Sequence, residues 1–391
     1  MSEIYDAIII GAGACGLACA LNLKTDNVLI LDAKSGALKL ALTGNNRCNI
    51  TNTLPIDEFI QSYGKDGRFT TDTFRRFFRD ELLSFLKQYN IKTETENEKV
   101  RLKGISSKEF AQILLNQAQK RFKLKKFHKV VKLKPSDGIF KIETINKKIY
   151  KSRFVLLSTG GRSYPQTGSD GSGYRLAKQL GHKIEPLEPI ETPFCCKKTS
   201  NLQGISLRNV GLTLKIDKKT LKTEGDIVFT HFGISGPAIL KLSNESFKKG
   251  KLIIKFIDTD EKDFINRLHF YKGKTKNFLS KYIPERLAQL SPYADLNCAN
   301  LNKKQLNEIA NFVFRFEIDI EKCGFKKAFA TKGGVSLKEV NPRTLESKIV
   351  KNLFFCGEIL NIQGPIGGFN LQFAFSSGFL VADEINRRLL K

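Results

Sequence analysis

The residues best suited to chemistry in this chain lie in two loops. TGNNRCNITN, residues 43–52, sets the thiol of Cys48 beside the guanidinium of Arg47, and FTHFGISGP, residues 229–237, holds His231. A thiol or an imidazole can deliver a proton to a developing carbanion, and a guanidinium can hold a phosphate or a polarised carbonyl. The plainer alternatives are a packed thiol and a structural loop histidine. A third set of residues is built to bind. GAGACG places Gly11, Gly13 and Gly16 at G-x-G-x-x-G spacing, and an acid, Asp32, follows at the distance of about 20 residues that a dinucleotide site uses.

Such spacing has meaning only between a strand and a helix, and the neighbouring residues supply both. IYDAIII (4–10) reads as a continuous apolar strand, the Ala/Leu-rich stretch to about Lys24 as a helix, and VLILD as a second strand ending at Asp32. In a βαβ unit the first glycine permits the tight turn, the second admits a pyrophosphate, and the third lets helix and strand pack closely. The helix start at Ala14 and Cys15 would face the phosphates, while Asp32, followed by Ala33, would meet the ribose hydroxyls. An acid there disfavours a 2′-phosphate, so FAD or NAD is expected rather than NADP.

Further on, Phe74, Phe77, Phe78, Leu82, Phe85, Leu86 and Tyr89 recur at helical spacing and read as core, with Arg75, Arg76 and Arg79 as a solvated face or a phosphate contact. KRFKLKKFHKVVKLK, residues 120–134, is dense in lysine and interleaved by Phe122 and Phe127. It suits base stacking or, equally, a charged strand protecting a sheet edge. RFVLLSTGG (153–161) is another buried strand ending in glycines. The βα pattern opens and closes the chain, which predicts an α/β fold. A Rossmann-like FAD-binding domain would be assembled from both chain ends, residues 1–186 and 340–391. An inserted β-rich, barrel-like substrate domain would span 187–257 and 323–339, with a small helical module at 258–322.

Charge is the outlier. Lys and Arg total 65 against 39 acids, a net +26 with a pI near 9.7. An AT-biased genome accounts for lysine over arginine but not for bases over acids, so a polyanionic partner such as RNA is expected. The eight cysteines show no C-x-x-C spacing and the four histidines are dispersed, so no metal is assigned. Cys15 and Cys19 read as core thiols, vicinal Cys195 and Cys196 disfavour an ordinary disulfide, and reduced thiols in a cytoplasm are the expectation. No apolar run reaches the length of a membrane helix, and MSEIYDAIIIGAG does not resemble a secretory signal.

Taken together, the first and last segments resemble the two-dinucleotide-binding flavoproteins, and five stretches resemble the BaiN/RdsA-like FAD-dependent oxidoreductases within them. The stretches are KLALTGNNRCNITN (39–52), GGRSYPQTGSDGSGY (160–174), GDIVFTHFGISGPAIL (225–240), TKGGVSLKEVNPRTLESKIV (331–350) and CGEILNIQGPIGGFNLQFAFSSG (356–378). Asn361 stands where the family usually has Asp, and Cys356 replaces a small residue, a change that reads as packing. The resemblance implies that Thr159, Gly160 and Gly161 and then Gly357 and Glu358 close on FAD. It also implies that the segment from Lys39 through Thr43, Gly44, Arg47, Cys48 and Asn49 passes under the flavin ring, and that Val131 lines the cofactor site. The turn at Gly367, Gly368, Phe369 and Asn370 would aim a helix start at the flavin N1 and C2=O edge. No second G-x-G-x-x-G follows a strand, so NAD(P)H would act as a transient reductant, without a redox disulfide beside the flavin. The leading expectation is reduction of uridine to dihydrouridine in large-subunit (23S) ribosomal RNA, with Cys48 or His231 as proton donor. The alternatives are a small-molecule enone reductase or amine oxidase on the same scaffold, and an RNA-associated flavin binder without turnover.

Overall fold

Four apolar residues out of the first strand's last five are fully or nearly buried, as expected for a parallel strand covered on both faces. In the computed structural model, which describes residues 4–46 and 48–390, this strand, β1 (Ile4–Ile10), turns at GAG into helix α1 (Ala14–Asn22) and returns as β2 (Val28–Leu31). Helix α2 (Ser107–Arg121) leads to β3 (Lys123–Lys125). A three-stranded antiparallel meander follows, made of β4 (Val130–Ser136), β5 (Ile139–Thr144) and β6 (Ile149–Leu157). Near the C-terminus β7 (Leu353–Phe355) precedes the long helix α3 (Phe369–Leu389). Together the strands form a seven-stranded sheet ordered β3-β2-β1-β6-β5-β4, with β7 pairing the second half of β6. The first and last segments of the chain thus meet on either side of β6.

The chain divides into two units, residues 1–188 with 329–391 and residues 189–328. The second unit holds a closed six-stranded barrel, with two long strands, Ser206–Ile216 and Lys219–Thr230, as its main hairpin. A helical excursion ends with the helix Lys303–Phe314. These bounds differ from those expected. The helical module stops before Phe316–Lys322, which closes the barrel beside Lys249–Lys255. FEIDIEK alternates apolar and charged side chains at the two-residue period of a half-buried strand, and its burial follows suit. Residues 329–339, expected with the barrel, belong to the cofactor unit, where Ala330–Val335 pairs with Ile184–Ile190. No helix among the described residues is long and apolar enough to cross a membrane.

Candidate cofactor and active site

The glycine turn is dictated by close backbone approaches. Gly11 has φ of +108°, and a Cβ there would lie 2.5 Å from the Ser158 carbonyl oxygen; at Gly16 it would lie 2.0 Å from the Gly11 carbonyl oxygen. Gly13 differs, because a Cβ there meets nothing within 4 Å. Open space therefore stands over the start of α1, whose cap residue Gly13 has no side chain to accept from the first amides. Asp32 is fixed by accepting from the Ala12 amide (2.8 Å, Oδ2) and the Lys34 amide (2.7 Å, Oδ1). Each carboxylate oxygen keeps a further lone pair, enough for ribose hydroxyls.

Glu358 is the hub on the other side of the turn. Its Oε2 accepts from Lys39 Nζ (2.5 Å) and the Gly161 amide (3.2 Å), its Oε1 from Ser163 Oγ (3.2 Å) and the Thr331 amide (2.9 Å). Lys39 also donates to Ser163 Oγ at 2.7 Å, and Thr331 Oγ1 accepts from the Arg162 and Ser163 amides. One carboxylate thus gathers the TGG turn, the TKGGV strand and Lys39, and its charge is matched by the ammonium. Ser163 and Thr331 escape the sequence reading. The only signal is their position inside GGRSYPQTG and TKGGV, since nothing in the spacing pairs them with residue 358.

The start of α3 is built the same way as that of α1. Its cap is Gly368 (φ +97°), again without a side-chain acceptor, and a Cβ there would lie 2.4 Å from the Thr51 carbonyl oxygen. Asn370 locks the preceding turn by accepting from the Gly364 amide (2.7 Å) and donating back to its carbonyl (2.9 Å). Phe369 is held by Phe59, stacked at 4.4 Å, and its carbonyl accepts from Tyr63 Oη at 2.8 Å. The unbonded amides of the first turn and the positive end of a 21-residue helix favour negative charge placed before it.

The candidate acids separate. Cys48 is fully buried at the start of the strand Asn49–Asn52, and burial pushes its thiol up to about 12 against the opposing hydrogen bond from Thr43. The thiol therefore stays protonated throughout the physiological range. His231 is exposed on a turn of the barrel unit, edge-on to Phe232 at 4.8 Å, and Lys327 Nζ lies over the Phe232 ring, 3.1 Å from its centroid. Cys48 belongs to one unit and His231 to the other. Arg47 lies outside the described residues. Val131 is 39% exposed on β4. Arg76 pairs with Asp383, and Arg79 donates to the Thr53 carbonyl at 2.7 Å, so neither is an unengaged phosphate ligand.

The thiols correct one expectation. Cys15 and Cys356 form a disulfide, and so do Cys195 and Cys323; Cys19, Cys48, Cys196 and Cys298 are free and buried. The reason is topological. Residue 15 opens α1 and residue 356 ends β7, and the two elements converge on the same glycine turn, where a Cβ on Gly357 would lie 3.3 Å from that of Cys15. Cys356 is thus a cross-link rather than packing, and a disulfide does lie within the cradle.

The residues present fit FAD. Space stands open above Gly13, two glycine-capped helix starts carry no side-chain acceptor, and Thr159 Oγ1 and Gln363 Oε1 are buried without a partner. Comparison with known proteins agrees. Residues 5–384 match the profile described as the HI0933-like protein Rossmann domain. The chain is 27% identical over 400 residues to a ribosomal RNA dihydrouridine synthase of Escherichia coli, covering 98% of each protein. It is also 27% identical to a 3-dehydro-bile acid delta(4,6)-reductase of Clostridium scindens, covering 95% of this chain and 97% of that one. Among solved structures, an open flavocytochrome c3 fumarate reductase is similar at a TM-score of 0.56 and 13% identity, covering 100% of this chain and 79% of that one. A 3-ketosteroid delta1-dehydrogenase from Sterolibacterium denitrificans gives 0.55 at 12% identity, covering 99% and 100%. The chain belongs to the HI0933-like family of Rossmann-fold, FAD-dependent oxidoreductases.

Proposed function

We propose that the protein reduces the C5=C6 bond of a uridine in large-subunit (23S) ribosomal RNA to dihydrouridine, in the cytoplasm, with NAD(P)H as transient reductant. The observation that carries this reading is the end-to-end similarity of a +26 chain to proteins named ribosomal RNA dihydrouridine synthase from Escherichia coli and, at 28% identity, Haemophilus influenzae. A small neutral enone has no need of such a field, whereas phosphates do. Bound FAD supplies the hydride chemistry. The chain's own residues hold and orient it: Gly11, Gly13 and Gly16 with the first amides of α1 receive the diphosphate, and Asp32 meets the ribose. Lys39 and Glu358 pin the turn at Gly160 and Gly161, and the amides after Gly368 stabilise negative charge on the ring edge. Cys48 holds a proton at Sγ at any physiological pH and is the first candidate donor to the uracil carbon, with His231 the second. A uridine in folded RNA must be splayed out of its stack to reach them.

The test is dihydrouridine content of ribosomal RNA from cells with and without the gene, followed by its NAD(P)H-dependent formation on that RNA by the purified protein. Unchanged content sinks the reading. The bile acid reductase relative supports a second one, a reductase of small conjugated enones on the same cradle. Rapid enone turnover without affinity for RNA at physiological salt would select it.

A further inference from the structure

The basic charge is not spread evenly. Residues 120–153 contain thirteen Lys and Arg against only Asp137 and Glu143, a net +11 of the chain's +26 within 34 positions. This is the segment that closes β3 and builds the meander. Its register decides how the charge is displayed. Lys134 on β4 stands directly opposite Lys141 on β5, and Lys141 stands directly opposite Lys151 on β6. Residues paired in this way project from one face with Cβ atoms about 5 Å apart, and like charges so placed destabilise a sheet. Among the described residues none of the three has an ion-pair partner, whereas Lys39, Lys129 and Lys251 have Glu358, Asp170 and Glu317. The opposite face of the same strands, Leu133, Phe140 and Ile142, is buried in the core, so the row is held on a rigid support.

Edge protection does not explain the row. A lysine on β4 would blunt a free edge, but Lys141 lies on a strand paired on both sides and Lys151 on one paired with β5 and β1. Nor is the row a handle for the cofactor's own phosphates. β6 runs from Lys151 to Leu157 before its turn reaches the cradle, roughly 20 Å at the rise of a strand. A ligand touching both the row and the flavin edge must be far larger than a nucleoside. Phe122, which the sequence offers as a stacking ring, is buried, while Phe127 beside the meander is 63% exposed.

We propose that the exposed face of the β4–β5–β6 meander is the surface on which structured RNA docks, its phosphates gripped by the row Lys134–Lys141–Lys151. This deepens the ribosomal RNA reading and rests on it for the choice of polyanion. The experiment compares the full-length holoprotein with K134Q/K141Q/K151Q and with a control of equal charge loss on the barrel hairpin, K215Q/K218Q/K222Q. Affinity for a fluorescein-labelled ribosomal RNA fragment is measured across a salt series. Three lost phosphate contacts should flatten the slope of log K against log salt by about 2–3 and weaken binding at least tenfold near 0.1 M salt. Flavin content should stay unchanged and Tm should be at or above wild type, because the row's repulsion is relieved. The control should change the slope by less than 1.

A meander variant with the wild-type slope, a control that loses as much, or a lowered Tm overturns the proposal. So does a loss seen on phosphatidylserine vesicles but not on RNA. The two readings fail differently. Wild type that binds RNA through the row yet forms no dihydrouridine removes the reductase and keeps the surface. A meander variant that forms dihydrouridine with unchanged KM for RNA removes the surface and keeps the reductase.

Discussion

Helices α1 and α3 begin differently from α2 and from the helix Lys303–Phe314. The latter pair carry reciprocal caps. Ser106 Oγ accepts from the Glu109 amide and Glu109 accepts from the Ser106 amide at 2.7 Å; Asn302 and Gln305 do the same at 2.9 Å each way. The former start from Gly13 and Gly368 with no side-chain acceptor at all. A capping side chain contributes about 1 kcal/mol, and the first four amides of any helix lack a partner within it. The starts at Gly13 and Gly368 forgo that side-chain acceptor, a loss that glycine keeps to a few tenths of a kcal/mol, and at Gly13 the space beside the cap is open. Of these four helices, α2 and Lys303–Phe314 spend a side chain on their first amides, whereas α1 and α3 withhold one.

The contrast can be tested by exchanging the two designs. Gly13 has extended backbone and room for a side chain, so Gly13→Asp should cap α1 and leave the apoprotein as stable as wild type or a few tenths of a kcal/mol more so. The same carboxylate would repel the diphosphate, and FAD affinity by titration should fall at least ~100-fold, about 2.8 kcal/mol. Retention of FAD would break the comparison. Asp32→Asn leaves Gly13 unsubstituted but removes charge from the ribose side and one of the two oxygens that hold the Ala12 and Lys34 amides, and a loss of about tenfold in FAD affinity is expected. Ser106→Ala is the converse of the first. It should cost about 1 kcal/mol, read as a Tm lower by roughly 1–2 °C, with FAD affinity unchanged. The smallest effect is acidic. Bonds from the Ser106 amide and hydroxyl hold the Glu109 carboxyl below its usual 4.5. A carboxyl lowered in the folded state binds its proton more weakly there than in the unfolded chain. Its contribution is therefore full above that value and fades as pH falls through the folded one. Thermal melts of Glu109→Gln across acid pH should show a shallower decline than wild type.

What could be read from the sequence is what the chain settles locally. IYDAIII, the turn GAGACG and VLILD each carry their own instructions: apolar continuity for a buried strand, glycine where backbones touch, and an acid at the second strand's end. The Rossmann fold and a dinucleotide of the FAD or NAD type follow from them, and the resemblance of the later stretches to flavoproteins selects FAD. FEIDIEK carried a local signal too, but it was absorbed into a polar helical stretch, and only pairing with Lys249–Lys255 gives its alternation a face to bury. The harder features depend on partners far along the chain. No spacing rule joins Cys15 to Cys356 or brings Ser163 and Thr331 to Glu358. The polar look of TGNNRCN implied an open loop, yet Cys48 is buried because the strand it introduces is pinned, the Leu102 amide donating to the Cys48 carbonyl.

The bond between Cys15 and Cys356 spans 341 residues, and the same interval separates the two halves of the cradle in time. At roughly 5–20 residues per second of synthesis, an emerging α1 waits some 20–70 s for β7 and α3 to leave the ribosome. Throughout that delay a nascent polypeptide owns a nucleotide fingerprint it cannot use. Coloration by flavin is therefore a mark that translation has run to the far side of the barrel, and prematurely terminated products should be recognisable as pale, half-built and open to proteolysis.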